Sequence, residues 1–221
     1  MKKYLVAAAA AAAAFAAPAS ALPSFQVTLG SAAVTVPTVN DFKTNLSGLG
    51  LLTEAIGASV NVIDGGYIVF ELLGSESGYF DTFSFSGISS YTETSYGVLN
   101  YFGAPVALGA TTVGAGALNG GLDFLFSNGS PSRSAGSGDA GFAVFLPTGV
   151  SGAAGSTFNT NVLYFGYDDS AQVDDNHDDL IIRATIMPVP EPATWAMMVG
   201  GIAAVGLVMR RRSHTARVAF S

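Results

Sequence analysis

The 221-residue chain has no cysteine, so neither a disulfide framework nor thiol chemistry contributes to its stability or function. Charge is also sparse, at 11% of residues, and the 9 Lys+Arg are outnumbered by 16 Asp+Glu, for a formal net charge of -7. Cations are scarcest in the middle, where Lys43, Arg133 and Arg183 stand against 15 carboxylates between Leu22 and Met187. The balance argues against nucleic acid as a partner, because phosphate binding needs a basic surface. No repeat of fixed period is visible, which argues against a solenoid or propeller. What the chain does have is apolar residues, 49% of the total, and 27 glycines. That composition can build a core, so the chain is not a disordered acidic tail.

Much of the apolar content lies at the two ends. Lys2 and Lys3 precede an uncharged stretch from Leu5 to Ala17, followed by the small-x-small triplet Ala19-Ser20-Ala21. This is the pattern of a secretory signal peptide over residues 1–21, with Ala19 and Ala21 marking the cut for signal peptidase. An alanine-rich soluble helix would need a polar face, and none is present between Leu5 and Ala17.

At the other end, Ala193 to Met209 is uncharged and runs directly into Arg210, Arg211 and Arg212. The stretch predicts a single transmembrane helix near the lower length limit for a hydrocarbon core of about 30 Å. The arginine cluster would stay cytoplasmic by the positive-inside rule, leaving the 213–221 tail inside and residues 22 to roughly 192 outside.

The residues just before this span carry a resemblance. Val189-Pro190-Glu191-Pro192, then Trp195-Ala196-Met197-Met198, the Gly-containing apolar span and Arg210-Arg211-Arg212 resemble the PEP-CTERM sorting signal of Gram-negative bacteria, in the variant common in alphaproteobacteria. The resemblance covers residues 188–212. It implies recognition of Pro190, Glu191, Pro192, Trp195 and Arg210 to Arg212 by a membrane-embedded exosortase, a cysteine-dependent transpeptidase-like enzyme. That enzyme would cut near Pro-Glu-Pro and release or re-attach the protein at the cell surface. The physical chemistry is compatible, since two prolines hold the backbone extended and accessible.

Between the ends, the signals are of strands and turns. Tyr67–Phe70, Thr82–Phe85, Phe124–Phe126, Phe142–Phe145, Val162–Tyr167 and Leu180–Ile186 are short, aromatic or β-branched, and bounded by Gly, Ser, Asn and Asp. Phe80, Phe83 and Phe85 alternate in part with polar residues, as on a strand with one wet face. The expected fold is all-β, an antiparallel and jelly-roll-like β-sandwich over residues 22–187. Asn40 to Leu52 and the stretch Thr53 to Ala58 could hold a short helix, weakened by Gly48, Gly50 and Gly57. Ala110 to Gly121 and Ser127 to Gly141 read as surface loops.

The densest charge is Asp168-Asp169-Ser170-Ala171-Gln172-Val173-Asp174-Asp175-Asn176-His177-Asp178-Asp179. If the strands on either side pair, the carboxylates are forced together, and a hard divalent cation would relieve the repulsion. Calcium is the candidate, with Asp168, Asp169, Asp174, Asn176, Asp178 and Asp179 as oxygen donors; the alternative is a solvated acidic loop without metal. The Asp174-x-Asn176-x-Asp178 spacing is not an EF-hand, because Asp179 stands where Gly is needed and Thr185 where Glu is needed. A second segment, Gly74 to Phe83, either adds ligands through Glu76 or Asp81 or simply turns between strands, and its glycines favour the turn.

Catalytic machinery is hard to find. His177 is the only exported histidine, expected as a cation or a solvated loop residue, and there is no Gly-x-Ser-x-Gly nucleophile elbow. Zinc is disfavoured without Cys and with one His, and Gly114 to Gly120 misses the dinucleotide fingerprint by one residue. A carboxylate-pair glycosidase using Glu54, Glu71, Glu76 or Glu93 is not excluded. Two function classes remain. The first is a non-enzymatic surface or extracellular-matrix protein, for which the resemblance implies association with exopolysaccharide and biofilm. The second is a secreted carbohydrate-binding module or glycoside hydrolase, whose sugar platform would use Tyr91, Tyr96 or Tyr101.

Overall fold

The structure, a computed structural model, describes residues 22–113, 120–129, 133–150, 152–170, 176–189 and 192–213. Ala19, Ala21, Asp174, Pro190 and Glu191 lie outside the described residues. Leu22–Pro188 forms one compact unit, and the segment from Val189 onward belongs to a second.

The first unit begins with β1 (Ser24–Thr28), β2 (Val34–Thr35), a one-turn helix α1 (Lys43–Gly48), β3 (Leu51–Ile56), β4 (Ser59–Ile63) and the long β5 (Gly66–Ser77). Short strands follow: β6 (Thr82–Ser84), β7 (Tyr91–Thr92), β8 (Gly97–Asn100), β9 (Val106–Val113), β10 (Gly120–Gly121), β11 (Leu125–Ser127) and β12 (Ser134–Gly136). The unit closes with β13 (Phe142–Pro147), β14 (Thr157–Thr160), β15 (Val162–Tyr167) and β16 (Leu180–Met187). The six strands expected from the sequence all form, and β15 pairs with β16 as the acidic loop between them required. Thr53 to Ala58 is not helical. It falls largely in β3, where sheet pairing to β13 overrides local preference. The expected loops are likewise shortened by β9 and β12, which pair with β5 and β11.

Every described strand pairing is antiparallel, within one eight-stranded and two four-stranded sheets. The large sheet runs β2-β3-β13-β15-β16-β5-β8, with β9 also on β5; the small ones run β10-β4-β1-β14 and β12-β11-β6-β7. This is antiparallel all-β architecture, distributed differently from the paired four-stranded sheets of a jelly roll.

Side-chain alternation explains the layering. Phe142, Val144 and Leu146 of β13 enter the main core with Phe25 and Val60 of one small sheet and Phe83 and Phe126 of the other. Phe145, pointing to the opposite face, joins Phe42, Leu46 and Leu51 around α1. The large sheet is therefore covered on both faces, which is why β13 reads as an unbroken apolar run. Phe165 stacks on Phe124 at 5.0 Å between ring centres and meets Phe83, Phe126 and Phe142, an aromatic centre in a protein without Trp in this unit.

In the second unit, helix α2 (Pro192–Ser213) opens on a proline, the residue best tolerated in a first turn. Its 22 residues span about 33 Å at 1.5 Å each. Trp195, Val199, Ile202, Val205 and Leu207 are exposed. The transmembrane span expected at Ala193 to Met209 is not shown: among the described residues no helix is long and apolar enough to cross a membrane.

Candidate functional site

The acidic residues are organised by an irregularity in β5. Ile182 pairs with Leu72 and Ile181 with Gly74, so Leu73 is an extra residue in β5, a bulge that shifts the side-chain alternation by one. Before it, Ile68, Phe70 and Leu72 face the main core; Leu73 faces the second core, and a Cβ at Gly74 would lie 2.8 Å from the Phe42 ring. After it, Ser75 and Ser77 are buried and donate hydrogen bonds to Glu93 and Asp169. Without the bulge, Glu76 would take that face.

Beyond β5 the chain turns through Asp81 into β6. Asp81 is fully buried, and neither carboxylate oxygen has a hydrogen-bond partner. Carboxylate oxygens of Asp81, Asp169 and Asp179 all lie within 4.8 Å of one another. Each is held by its surroundings. The Asp81 amide donates to Glu93 Oε2 at 3.1 Å, Ser77 Oγ donates to Asp169 Oδ2 at 2.9 Å, and the Asp169 amide donates to Asp179 Oδ2 at 2.7 Å. The side-chain amide of Asn128 donates to the Asp169 carbonyl at 3.3 Å. Asp179 is only half-buried, so the cluster has a side open to solvent.

Burial and crowding both oppose ionisation here. Burial, with the neighbouring charges of Asp169 and Glu93, pushes the Asp81 carboxyl up to about 8, although the nearby Ser77 hydroxyl acts in the other direction. Asp179 is pushed up to about 9, again chiefly by burial, against the hydrogen bond from the Asp169 amide and with the charges of Asp169 and Asp81. Glu93 is raised mainly by burial. The Tyr167 hydroxyl is raised by burial and by the charges of Asp81, Asp169, Asp179 and Asp168, while its ring lies on Phe126 at 5.3 Å. It donates to the Arg133 carbonyl.

The other members of the loop go elsewhere. Asp168 Oδ1 accepts from the Ser170 amide at 2.8 Å, an Asx-type turn at the end of β15. Asp178 is fully buried and accepts from the Asp41 amide at 2.7 Å, next to α1; burial pushes it up to about 7. Asn176 is half-buried. His177 is not a solvated loop residue. It is 1% exposed, with Nδ1 3.9 Å from Glu54 Oε1 and Nε2 3.3 Å from the Ala140 carbonyl. Gly166 permits this packing, because a Cβ there would lie 2.0 Å from the His177 carbonyl oxygen. The structure thus brings Asp169 and Asp179 together with Asp81, sends Asp178 to α1 and turns Asp168 onto its own backbone.

The glutamates weighed for glycosidase chemistry are dispersed. Glu54 is buried against His177, Glu71 is paired with Arg183 through Nε at 2.8 Å and Nη2 at 2.7 Å, Glu93 braces Asp81, and Glu76 is half-buried. Of the tyrosines, Tyr91 and Tyr101 pack against the main core, whereas Tyr96 is 60% exposed and stacks on the exposed Phe80 at 4.1 Å. Tyr79, next to Phe80 in sequence, is also exposed, with the Arg133 guanidinium 5.1 Å over its ring. Phe80 therefore leaves the alternation that keeps Phe83 and Phe85 in the core.

Comparison with curated proteins and with solved structures gives no match. A family model described as the PEP-CTERM protein-sorting motif matches residues 188–212. That segment takes in the start of α2 at Pro192, Trp195 and the Arg210 to Arg212 cluster, and it begins one residue after β16 ends. PEP-CTERM proteins are exosortase substrates, which implies export and processing at the membrane on the way to the cell surface. The chain thus carries a PEP-CTERM protein-sorting motif over residues 188–212.

Proposed function

We propose that the chain is a non-enzymatic surface or extracellular-matrix protein, delivered as a β-domain by a disposable C-terminal signal and associated with exopolysaccharide. The observation that carries the delivery is a boundary. The compact β-unit ends at Pro188, β16 ends at Met187, and the sorting motif occupies 188–212. A cut near Pro190-Glu191-Pro192 would remove no described strand of the β-unit. Before the cut, α2 would hold the chain at the membrane as a single-pass intermediate, a reading supported by its exposed apolar side chains and the arginines that end it. Support for a glycan role is the exposed aromatic group Tyr79, Phe80 and Tyr96, since flat rings offer sugar rings a stacking surface.

The test is intact-mass measurement of surface protein from hosts with and without the sorting enzyme. Everything beyond the Pro190 to Pro192 region should be lost only where the enzyme is present, and identical masses would end the delivery reading. The released chain should co-sediment with the host's exopolysaccharide, and Tyr96→Ala should weaken that association; equal sedimentation of both would remove the glycan role.

A further inference from the structure

The sequence points to an acidic loop that holds a cation by itself, but the structure offers a different set of donors. Asp169 and Asp179 come from the loop that joins β15 to β16, and Asp81 comes from the turn before β6, some ninety residues earlier in the chain. We propose that Asp81, Asp169 and Asp179 form a calcium site that fastens the β15–β16 loop to the β5–β6 turn, tying the large sheet to one of the small ones.

Two independent observations point to a ligand. The first is geometric: the three carboxylates lie within 4.8 Å of one another, a span that fits across an oxygen shell with a radius of about 2.4 Å. The second is Asp81 itself. It is 0% exposed, both its oxygens lack a hydrogen-bond partner, and one of them lies within 4.8 Å of an oxygen of each of the other two carboxylates. A buried carboxylate without partners is costly, and a fold retains one where something else satisfies it. Asp81 and Asp179 enter neither of the ion pairs resolved between described residues, Arg183–Glu71 and His177–Glu54.

The donor chemistry selects the ion. All three groups are hard carboxylate oxygens and the chain has no thiol, while His177 is committed to Glu54 and Ala140. That set suits calcium, and it disfavours zinc and the softer metals. The half-buried Asp179 leaves a side from which the ion and its waters can enter. The surroundings fix the donors as an outer shell does: Glu93 holds the Asp81 backbone, and Ser77 holds the Asp169 carboxylate.

This site is independent of the sorting signal, so the test leaves the delivery reading untouched. The full chain is purified in detergent and stripped with chelator, and its thermal midpoint is followed while calcium chloride alone is added. With a dissociation constant of about 0.1–1 mM, as in extracellular modules, a tenfold excess should raise the midpoint by about 3–6 °C. Asp81→Asn and Asp179→Asn should each abolish the rise, while Asp123→Asn, an exposed acid elsewhere, should keep it. Terbium adds a readout that does not depend on the variants folding. The Tyr167 hydroxyl feels the charges of Asp81, Asp169 and Asp179, so terbium bound by the unsubstituted chain should show tyrosine-sensitised emission that calcium displaces. Equal midpoints in calcium and chelator would overturn the proposal, as would terbium emission that calcium leaves unchanged. Loss of the rise in Asp178→Asn with its retention in Asp81→Asn would also overturn it, placing the ion within the loop alone.

Discussion

The loop between β15 and β16 reaches two buried acids, and the protein treats them oppositely. At Glu54, full burial of a carboxylate is answered from within the chain by His177. At Asp81, equally complete burial is answered by two more acids, and the carboxyls respond by holding their protons far above the usual range. Burial of an acid is thus tolerated by two routes, an imidazole partner from within the chain or neutralisation from solution. The second route leaves the fold dependent on what the solution supplies.

The largest effect bearing on this contrast is the pH dependence of stability in chelator. Asp81, Asp178 and Asp179 have folded values raised to about 8, 7 and 9 from a reference of 3.8. Groups raised in this way stabilise the fold fully below the unfolded value, and that contribution is lost as pH rises through the folded ones. Stability should therefore fall between about pH 4 and pH 9, steepest from about 5 to 7, where all three groups are protonated in the folded chain and ionised in the unfolded one, and levelling off from about 7 to 9. The slope is about 1.4 kcal/mol per pH unit for each group that is protonated in the folded chain and ionised in the unfolded one. Urea midpoints across that range test it; a flat or rising profile would show that the acids are ionised and satisfied.

Next in size is the internal pair. His177→Ala leaves Glu54 buried without its imidazole and should cost about 3–5 kcal/mol in urea unfolding. The double variant Glu54→Gln with His177→Gln should recover part of that loss. A loss below about 1 kcal/mol for His177→Ala would mean that the imidazole does not compensate Glu54 and that the contrast is false.

The smallest effect belongs to Arg183 and Glu71, a good hydrogen-bonded pair that is 28% and 24% exposed. Glu71→Gln should cost only about 0.2–1 kcal/mol, less in high salt, because water already solvates both partners. A cost as large as that of His177→Ala would show that burial is not what separates the two classes.

Much of this was legible along the chain. Short apolar strands bounded by turn residues identified an antiparallel β-protein, and the order Pro-Glu-Pro, apolar stretch, arginines identified the sorting segment. The departures from expectation have a common cause. Thr53 to Ile56 became strand, and the stretches after Ala110 and Ser127 contributed to β9 and β12, because pairing with distant strands supplied hydrogen bonds that composition does not reveal. His177 looks solvated among aspartates until Gly166 lets its backbone pack onto β15.

Features that are read in linear order needed nothing beyond the order of residues. A sorting signal is recognised as a contiguous stretch, and strand periodicity is a property of neighbouring residues, so both survive without three-dimensional knowledge. Which acids became neighbours was settled by folding alone. Asp81 meets Asp169 and Asp179 because the Leu73 bulge turns Ser75 and Ser77 inward and the β15–β16 pairing brings the far loop to that edge. Register and bulges arise from pairing between distant segments, and a one-residue change in either would send the same carboxylates to the opposite face.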